Sequence, residues 1–306
     1  MNYKKILESF NKNFGKYLFN NSNTLNNNIF NYLYKKNIIT KEMDESIKKF
    51  HTEGYFKPNV DSFELSDYLS KEIEKQNPKL NDKRHVYFTL NDQMKDRIKK
   101  HININFKSTL HKIEKYFNNK IVVTGIQLKR NYYVEDRQYY DTKVNDKSKE
   151  FFNMYFHCDH NSFNYFKLFI TVNDINNDQG PLNFYSMKHN KEFLKKSIYK
   201  SRNDYNKIEL ASLKKNTSKK GESLFLSTPQ CMHCAGIPEY GKSRDVLFLI
   251  FVATHEPADN FFYYEKKYYD EIWNRGKSNI QRIMSKPIGL RGSYEHYKKF
   301  LKSKIN

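Results

Sequence analysis

The chain has 306 residues, 38% of them apolar and 16% Phe, Tyr or Trp, which is enough to bury a core and excludes wholesale disorder. Its net charge is +20, but lysine is spread along the whole chain beside Asn, Ile, Tyr and Phe. It therefore reads as a bias of solvated positions and against a nucleic-acid patch. No run reaches the roughly 20 apolar residues of a membrane helix, no apolar signal region opens the chain, and three cysteines make no disulfide framework, so a cytoplasmic protein is expected.

Residues 1–44 read as a polar, Asn-interrupted helical extension. From residue 45 the texture changes. Phe50 to Tyr55 ends a helix at Gly54, a good residue just past a helix end. Asp61 or Ser62 can cap a helix running to Glu74. Arg84 to Leu90 alternates like a strand. Asn91 or Asp92 can cap one long amphipathic helix to Phe117, with Met94, Ile98, Ile102, Phe106, Leu110, Ile113 and Phe117 at helical spacing. Beyond residue 120 the period falls to two. Strands are predicted at 121–133, 151–156, 165–172, 182–185, 223–226 and 246–254. Gly180-Pro181, Thr228-Pro229 and Pro238 to Gly241 mark turns between them. The Lys-rich stretch near 188–220 reads as an insertion, and 259–306 as a helical segment packed on the core. The expectation is one domain over 45–258, mainly β, with helices before and after it.

One segment carries chemistry: Tyr155-Phe156-His157-Cys158-Asp159-His160. On an extended chain residues i and i+2 point the same way, so His157 and Asp159 can face one site while Cys158 turns away. An imidazole and a carboxylate are two of the three ligands of a facial triad. His233, after the strand at 223–226, is the candidate third. Arg244 stands eleven residues on (244 − 233), across the Pro238 to Gly241 turn. Read as a hairpin, that turn would bring its guanidinium back beside His233, where it could grip a carboxylate with two hydrogen bonds.

These residues resemble, in order, the motifs of the phytanoyl-CoA dioxygenase family of Fe(II)/2-oxoglutarate oxygenases. The similar elements are His157-Cys158-Asp159, the strand Lys167 to Val172 running into Asn173-Asp174, and Gly180-Pro181-Leu182 leading to His189. His233 and Arg244 follow, and Phe50 to Tyr55 is similar to the family's opening segment. The likeness spans roughly residues 45–256. Ser186-Met187-Lys188 stands where the family has Pro-Gly-Ser, Ala235 where it often has a small hydroxyl residue, and Phe169 where it often has Trp.

The resemblance implies a double-stranded β-helix, a jelly roll of the cupin type. It implies Fe(II) on His157, Asp159 and His233, 2-oxoglutarate anchored on Arg244, and O₂ as the oxidant. A small organic substrate would be hydroxylated, with release of succinate and CO₂. Phe169 and Gln127 are taken as cofactor-binding residues beside Arg244. Gln127, Lys129 and Asn131 either reach the cosubstrate or substrate or are ordinary strand residues. His160 and His189 read as supporting residues. A competing reading pairs Cys231 and Cys234 with Cys158 and a histidine around zinc, or takes the barrel as a degenerate, basic nucleic-acid-binding module.

Overall fold

The computed structural model describes residues 43–76, 85–117, 120–133, 156, 159, 165–189, 212–254 and 261–262. Four helices precede most of the strands. Helix α1 (Glu45–Glu53) is capped by Asp44, whose carboxylate accepts from Ser46 N at 2.8 Å. It ends at Gly54, which takes φ +79°, a left-handed conformation costly for any residue with a Cβ. Helix α2 (Phe63–Lys75) starts after Ser62, but the Asp61 carboxylate supplies the cap by accepting from Phe63 N at 2.8 Å. The Ser62 hydroxyl instead meets His101 Nε2 at 2.8 Å.

The single long helix expected after Asn91 is two: α3 (Asp92–Asn105), capped by Asn91, and α4 (Lys107–Phe117). The backbone of Phe106 drifts to φ −99°, ψ −3°, while its N–H still bonds Ile102 O and its own carbonyl accepts from Leu110 N. The axis therefore bends without breaking the apolar stripe. Every apolar position named for that helix is buried.

The strands are β1 (Tyr55–Phe56), β2 (His85–Phe88), β3 (Lys120–Tyr132), β4 (Tyr165–Thr171), β5 (Leu182–Phe184), β6 (Lys214–Asn216), β7 (Ser223–Leu226), β8 (His233–Ala235) and β9 (Ser243–Thr254). They form a six-stranded sheet in the order β1-β7-β4-β9-β3-β2 and a three-stranded sheet in the order β6-β5-β8, and all pairings within both are antiparallel. From β4 onward the chain passes from the larger sheet to the smaller, back through β7, across to β8 and back through β9. That winding is a double-stranded β-helix, the jelly roll expected from the sequence. Strand β6 falls inside the stretch expected as an insertion, and residues 190–211 of that stretch lie outside the described residues, as do the N- and C-terminal helical segments and most of the strand expected at 151–156.

The helices cover one face of the larger sheet. There Phe166, Leu168 and Ile170 of β4, Phe225 of β7 and Leu247, Leu249 and Phe251 of β9 meet Ile47, Phe50, Leu69, Met94, Ile98 and Ile113. Phe166 sits at the centre, stacked on Phe251 (ring centroids 5.2 Å apart) and Phe117 (5.9 Å). The other face of the larger sheet looks towards the smaller one. A second, smaller apolar cluster of Leu182, Phe184, Leu224, Leu226 and Cys231 fills one end of that gap. No described helix is long and apolar enough to cross a membrane.

Candidate active site between the two sheets

The remaining gap between the sheets is a cavity of about 200 Å³. Alternation along the strands decides what lines it. In β9 the odd residues Leu247, Leu249 and Phe251 face the helices, and Arg244, Val246, Phe248 and Ile250 line the cavity. In β4 Lys167, Phe169 and Thr171 line it, and in β3 Gln127 and Lys129 do. His233 and Ala235 of β8 close it from the smaller sheet. Five of the residues singled out from sequence, Gln127, Lys129, Phe169, His233 and Arg244, thus meet around one space.

The route by which His233 and Arg244 meet differs from the expected hairpin. Strand β8 pairs with β5 in the smaller sheet, whereas β9 pairs with β3 and β4 in the larger. The turn at Pro238 to Gly241 therefore carries the chain across the barrel, and the two side chains approach from facing sheets. The reason lies in β9, whose twelve residues find partner strands on both edges; three-residue β8 cannot match that length. Gly180 allows the crossing. It takes φ +66°, and a Cβ there would sit 2.5 Å from Ile237 C and Pro238 N.

Arg244 is buried, and its guanidinium is fixed on both sides. Nη1 donates to the Gly180 carbonyl at 2.8 Å. Asn131, fully buried opposite it in the β3–β9 register, turns its amide oxygen to the guanidinium and accepts from Nε at 3.0 Å and from Nη2. In that orientation the Asn131 amide nitrogen donates to His85 Nδ1 at 2.6 Å. Asn131 thus acts through Arg244. On the opposite face the next residue, Asp245, is gripped by Arg130 through two bonds of 2.6 and 2.7 Å, which locks the register of β9 beside the site. Burial raises the Asp245 pKa even against that pairing. Lys129 is also buried and lines the cavity, its ammonium 5.8 Å from the Tyr87 ring.

His233 Nδ1 lies 2.9 Å from the Cys231 carbonyl, so that nitrogen carries the proton and donates. Nε2 is left with its lone pair, 4.0 Å from Oδ1 of Asp159. Asp159 is held by its own backbone, whose N–H bonds the Thr228 carbonyl at 3.0 Å. Its other oxygen, Oδ2, is 2.6 Å from Lys167 Nζ. A basic imidazole nitrogen and a carboxylate oxygen facing each other across a short gap suit a divalent first-row metal. Among the described residues no group of three or more His, Cys, Asp or Glu converges. His157, Cys158 and His160 lie outside the described residues. Cys231 Sγ is 3.5 Å from the Glu53 carbonyl within the small apolar cluster, and Cys234 contacts Asn183. His189 Nδ1 meets the Ser186 hydroxyl at 2.9 Å.

No protein-family model and no curated protein matches this sequence. Among solved structures the chain is similar to HygX from Streptomyces hygroscopicus, determined with nickel, 2-oxoglutarate and hygromycin B bound: 14% identity, 71% of this chain and 88% of that one, TM-score 0.48. It is also similar to EctD from S. alaskensis with 2-oxoglutarate and 5-hydroxyectoine (13% identity, 82% and 90% covered, TM-score 0.47). A third is AviO1 from Streptomyces viridochromogenes Tue57 (11% identity, 72% and 99% covered, TM-score 0.46). These likenesses are weak, and the chemistry of the site follows from this chain's own side chains.

Sequence reasoning missed Lys167. The alternation of β4 was the signal that could have found it, since Lys167 shares a face with Phe169, not with Phe166 and Leu168.

Proposed function

We propose that this chain is a non-haem Fe(II), 2-oxoglutarate-dependent oxygenase that hydroxylates an unactivated carbon of a small organic substrate, releasing succinate and CO₂. One observation carries the reading. A buried guanidinium and an imidazole whose Nε2 looks towards a carboxylate face the same cavity from opposite sheets.

In this reading His157, Asp159 and His233 hold the iron. Bound iron supplies the activation of O₂ that protein side chains cannot perform. The protein's share is placement and exclusion of water. The Cys231 carbonyl fixes the His233 tautomer, so the ring presents a lone pair without rearranging. Arg244, held in one pose by Gly180 and Asn131, takes the far carboxylate of the oxo acid. Phe169 and Phe248 wall the space between, and Gln127 and Lys129 edge it. Lys129 and Arg244 bring positive charge to the lining, while Lys167 is paired with the Asp159 carboxylate at its edge, a balance that favours an anionic cosubstrate. A cavity of about 200 Å³ is smaller than the roughly 300–1,000 Å³ typical of drug-sized ligands and fits a short dicarboxylate.

The test is an anaerobic titration of the protein with Fe(II) and then 2-oxoglutarate. A metal-to-ligand charge-transfer band that appears only with both, and is lost in His233→Ala, is the expected result. Folded protein that develops no band, and that makes no succinate from 2-oxoglutarate in air, would refute the assignment.

A further inference from the structure

We infer that His85 and Asn131 are positioning residues for the cosubstrate, a two-residue relay that holds the Arg244 guanidinium in its pose without adding a negative charge beside it. The inference deepens the proposed function and rests on Arg244 being the anchor of the oxo acid. It is carried by a row of three side chains. His85 of β2, Asn131 of β3 and Arg244 of β9 are register partners across three neighbouring antiparallel strands. Residues directly opposite one another share a face of the sheet, so the three side chains stand in line. All three are buried, at 6%, 0% and 5% exposure. Among the described residues that line the cavity are Arg244 but neither His85 nor Asn131, so the pair acts through the arginine.

Donor and acceptor types fix how the row is wired. A guanidinium has only donors, so Asn131 turns its amide oxygen to Arg244, where it accepts from Nε at 3.0 Å and from Nη2. The amide nitrogen then faces His85 and donates to Nδ1 at 2.6 Å. An amide turned the other way would meet the guanidinium donor to donor. By accepting from the amide nitrogen, the histidine specifies the pose of the asparagine, and the asparagine that of the arginine.

The choice of an amide at position 131 follows from the charge of the cosubstrate. A buried guanidinium needs acceptors. A carboxylate in the same place would accept the same bonds more strongly. It would also set an anion where the far carboxylate of the oxo acid binds, and like charges at short range repel, the more so where water is scarce. The amide supplies the hydrogen bonds and no charge. The Gly180 carbonyl, which accepts from Nη1 at 2.8 Å, is a neutral acceptor too. His85 completes the arrangement, because a buried amide N–H facing no acceptor is costly and would loosen the side chain that carries it.

The experiment compares the wild-type chain with His85→Leu, His85→Asn and Asn131→Asp, each loaded with Mn(II) in the absence of oxygen. Calorimetry gives the affinity for 2-oxoglutarate and for 2-oxobutanoate, an oxo acid without the far carboxylate, and thermal melting reports on the fold. His85→Leu removes the acceptor and is expected to weaken 2-oxoglutarate binding about five- to tenfold. His85→Asn puts an oxygen where Nδ1 stood, isolates that contact from the ring's others, and should return the affinity close to wild type. Asn131→Asp changes charge at constant shape and should weaken 2-oxoglutarate on the order of tenfold or more. All four proteins should bind 2-oxobutanoate alike, since it makes no use of Arg244. A merely structural role for the pair would lower the melting temperature and weaken both oxo acids equally, or neither; that result, or His85→Asn binding no better than His85→Leu, overturns the inference. So does Asn131→Asp that binds 2-oxoglutarate as tightly as wild type, which covers the case in which His85→Leu folds poorly. Wild-type protein that binds no 2-oxoglutarate with Mn(II), or Arg244→Leu that binds it as well as wild type, would instead bring down the proposed function or its anchor, and the relay with it.

Discussion

The two faces of the six-stranded sheet are made by the same strands and do different work. Towards the helices, β4 and β9 present Phe166, Leu168, Ile170, Leu247, Leu249 and Phe251, all fully buried and packed ring on ring or ring on methyl. Towards the smaller sheet the alternate residues are Lys167, Phe169, Thr171, Arg244, Val246, Phe248 and Ile250. One face spends its residues on apolar burial and holds the fold together. The other places cations and aromatic walls around a space, a costly arrangement that stability alone would not select. The lesson is that a period of two lets a single strand carry core and chemistry at adjacent positions, and that substitutions one residue apart should separate them.

The largest effect should come from the helix-covered face. Phe166→Ala removes the ring at the centre of the aromatic cluster and is expected to cost about 3–5 kcal/mol of stability, read as a lower denaturant midpoint. What protein remains folded should bind 2-oxoglutarate as before; a large loss of affinity at unchanged stability would break the division between the faces. Next, Arg244→Leu on the cavity face should weaken 2-oxoglutarate binding about 100-fold, near 3 kcal/mol, by removing one partner of a buried charge pair. Calorimetry in the presence of metal checks this, and an unchanged affinity would remove Arg244 from the site.

Gly180→Ala sharpens the comparison, because Gly180 touches both functions. Its φ is positive, and an added Cβ would stand 2.5 Å from the facing backbone. Together these predict a loss of about 1–3 kcal/mol, and displacement of the Gly180 carbonyl should loosen Arg244 as well. Stability and cosubstrate affinity should therefore fall together in this variant.

The smallest effect is a pH dependence confined to the helical side. Burial lowers the His101 pKa from its ordinary 6.5, with the charges of Asp61 and Glu64 acting against the shift. The unfolded chain then binds the proton more readily than the fold does. Stability should decline as pH falls below about 6.5 and be unaffected by this group above it. Urea midpoints at pH 7.5 and 5.5 should show a drop that shrinks in His101→Gln, with no change in metal binding.

Much of the helical layer was legible from sequence. The Asn91 cap, the end at Gly54 and the seven-residue apolar stripe all depend on interactions within a few residues. The bend at Phe106 was not legible, since the periodicity continues straight through it and only packing on a twisted sheet demands the change of axis. Three-residue β6 and two-residue β1 were missed for a related reason: strands that short take their conformation from the neighbour they pair with. Within the site, His233 and Arg244 were legible as an ordered pair of residue types. Lys167, Asn131 and the Gly180 carbonyl were not legible in those roles, because each is defined by what it touches on a distant strand.

The sequence by itself determined the period of each long element, the helix caps, and the supply of imidazole, carboxylate and guanidinium groups along the chain. Those are local properties, written in spacing and residue type. Which sheet each strand joins, and hence that β8 and β9 face one another across a cavity instead of forming a hairpin, was decided only in three dimensions. Strand pairing is a competition among all the edges present, and the outcome for β9 depended on β3 and β4, which begin 123 and 78 residues before it (243 − 120 and 243 − 165).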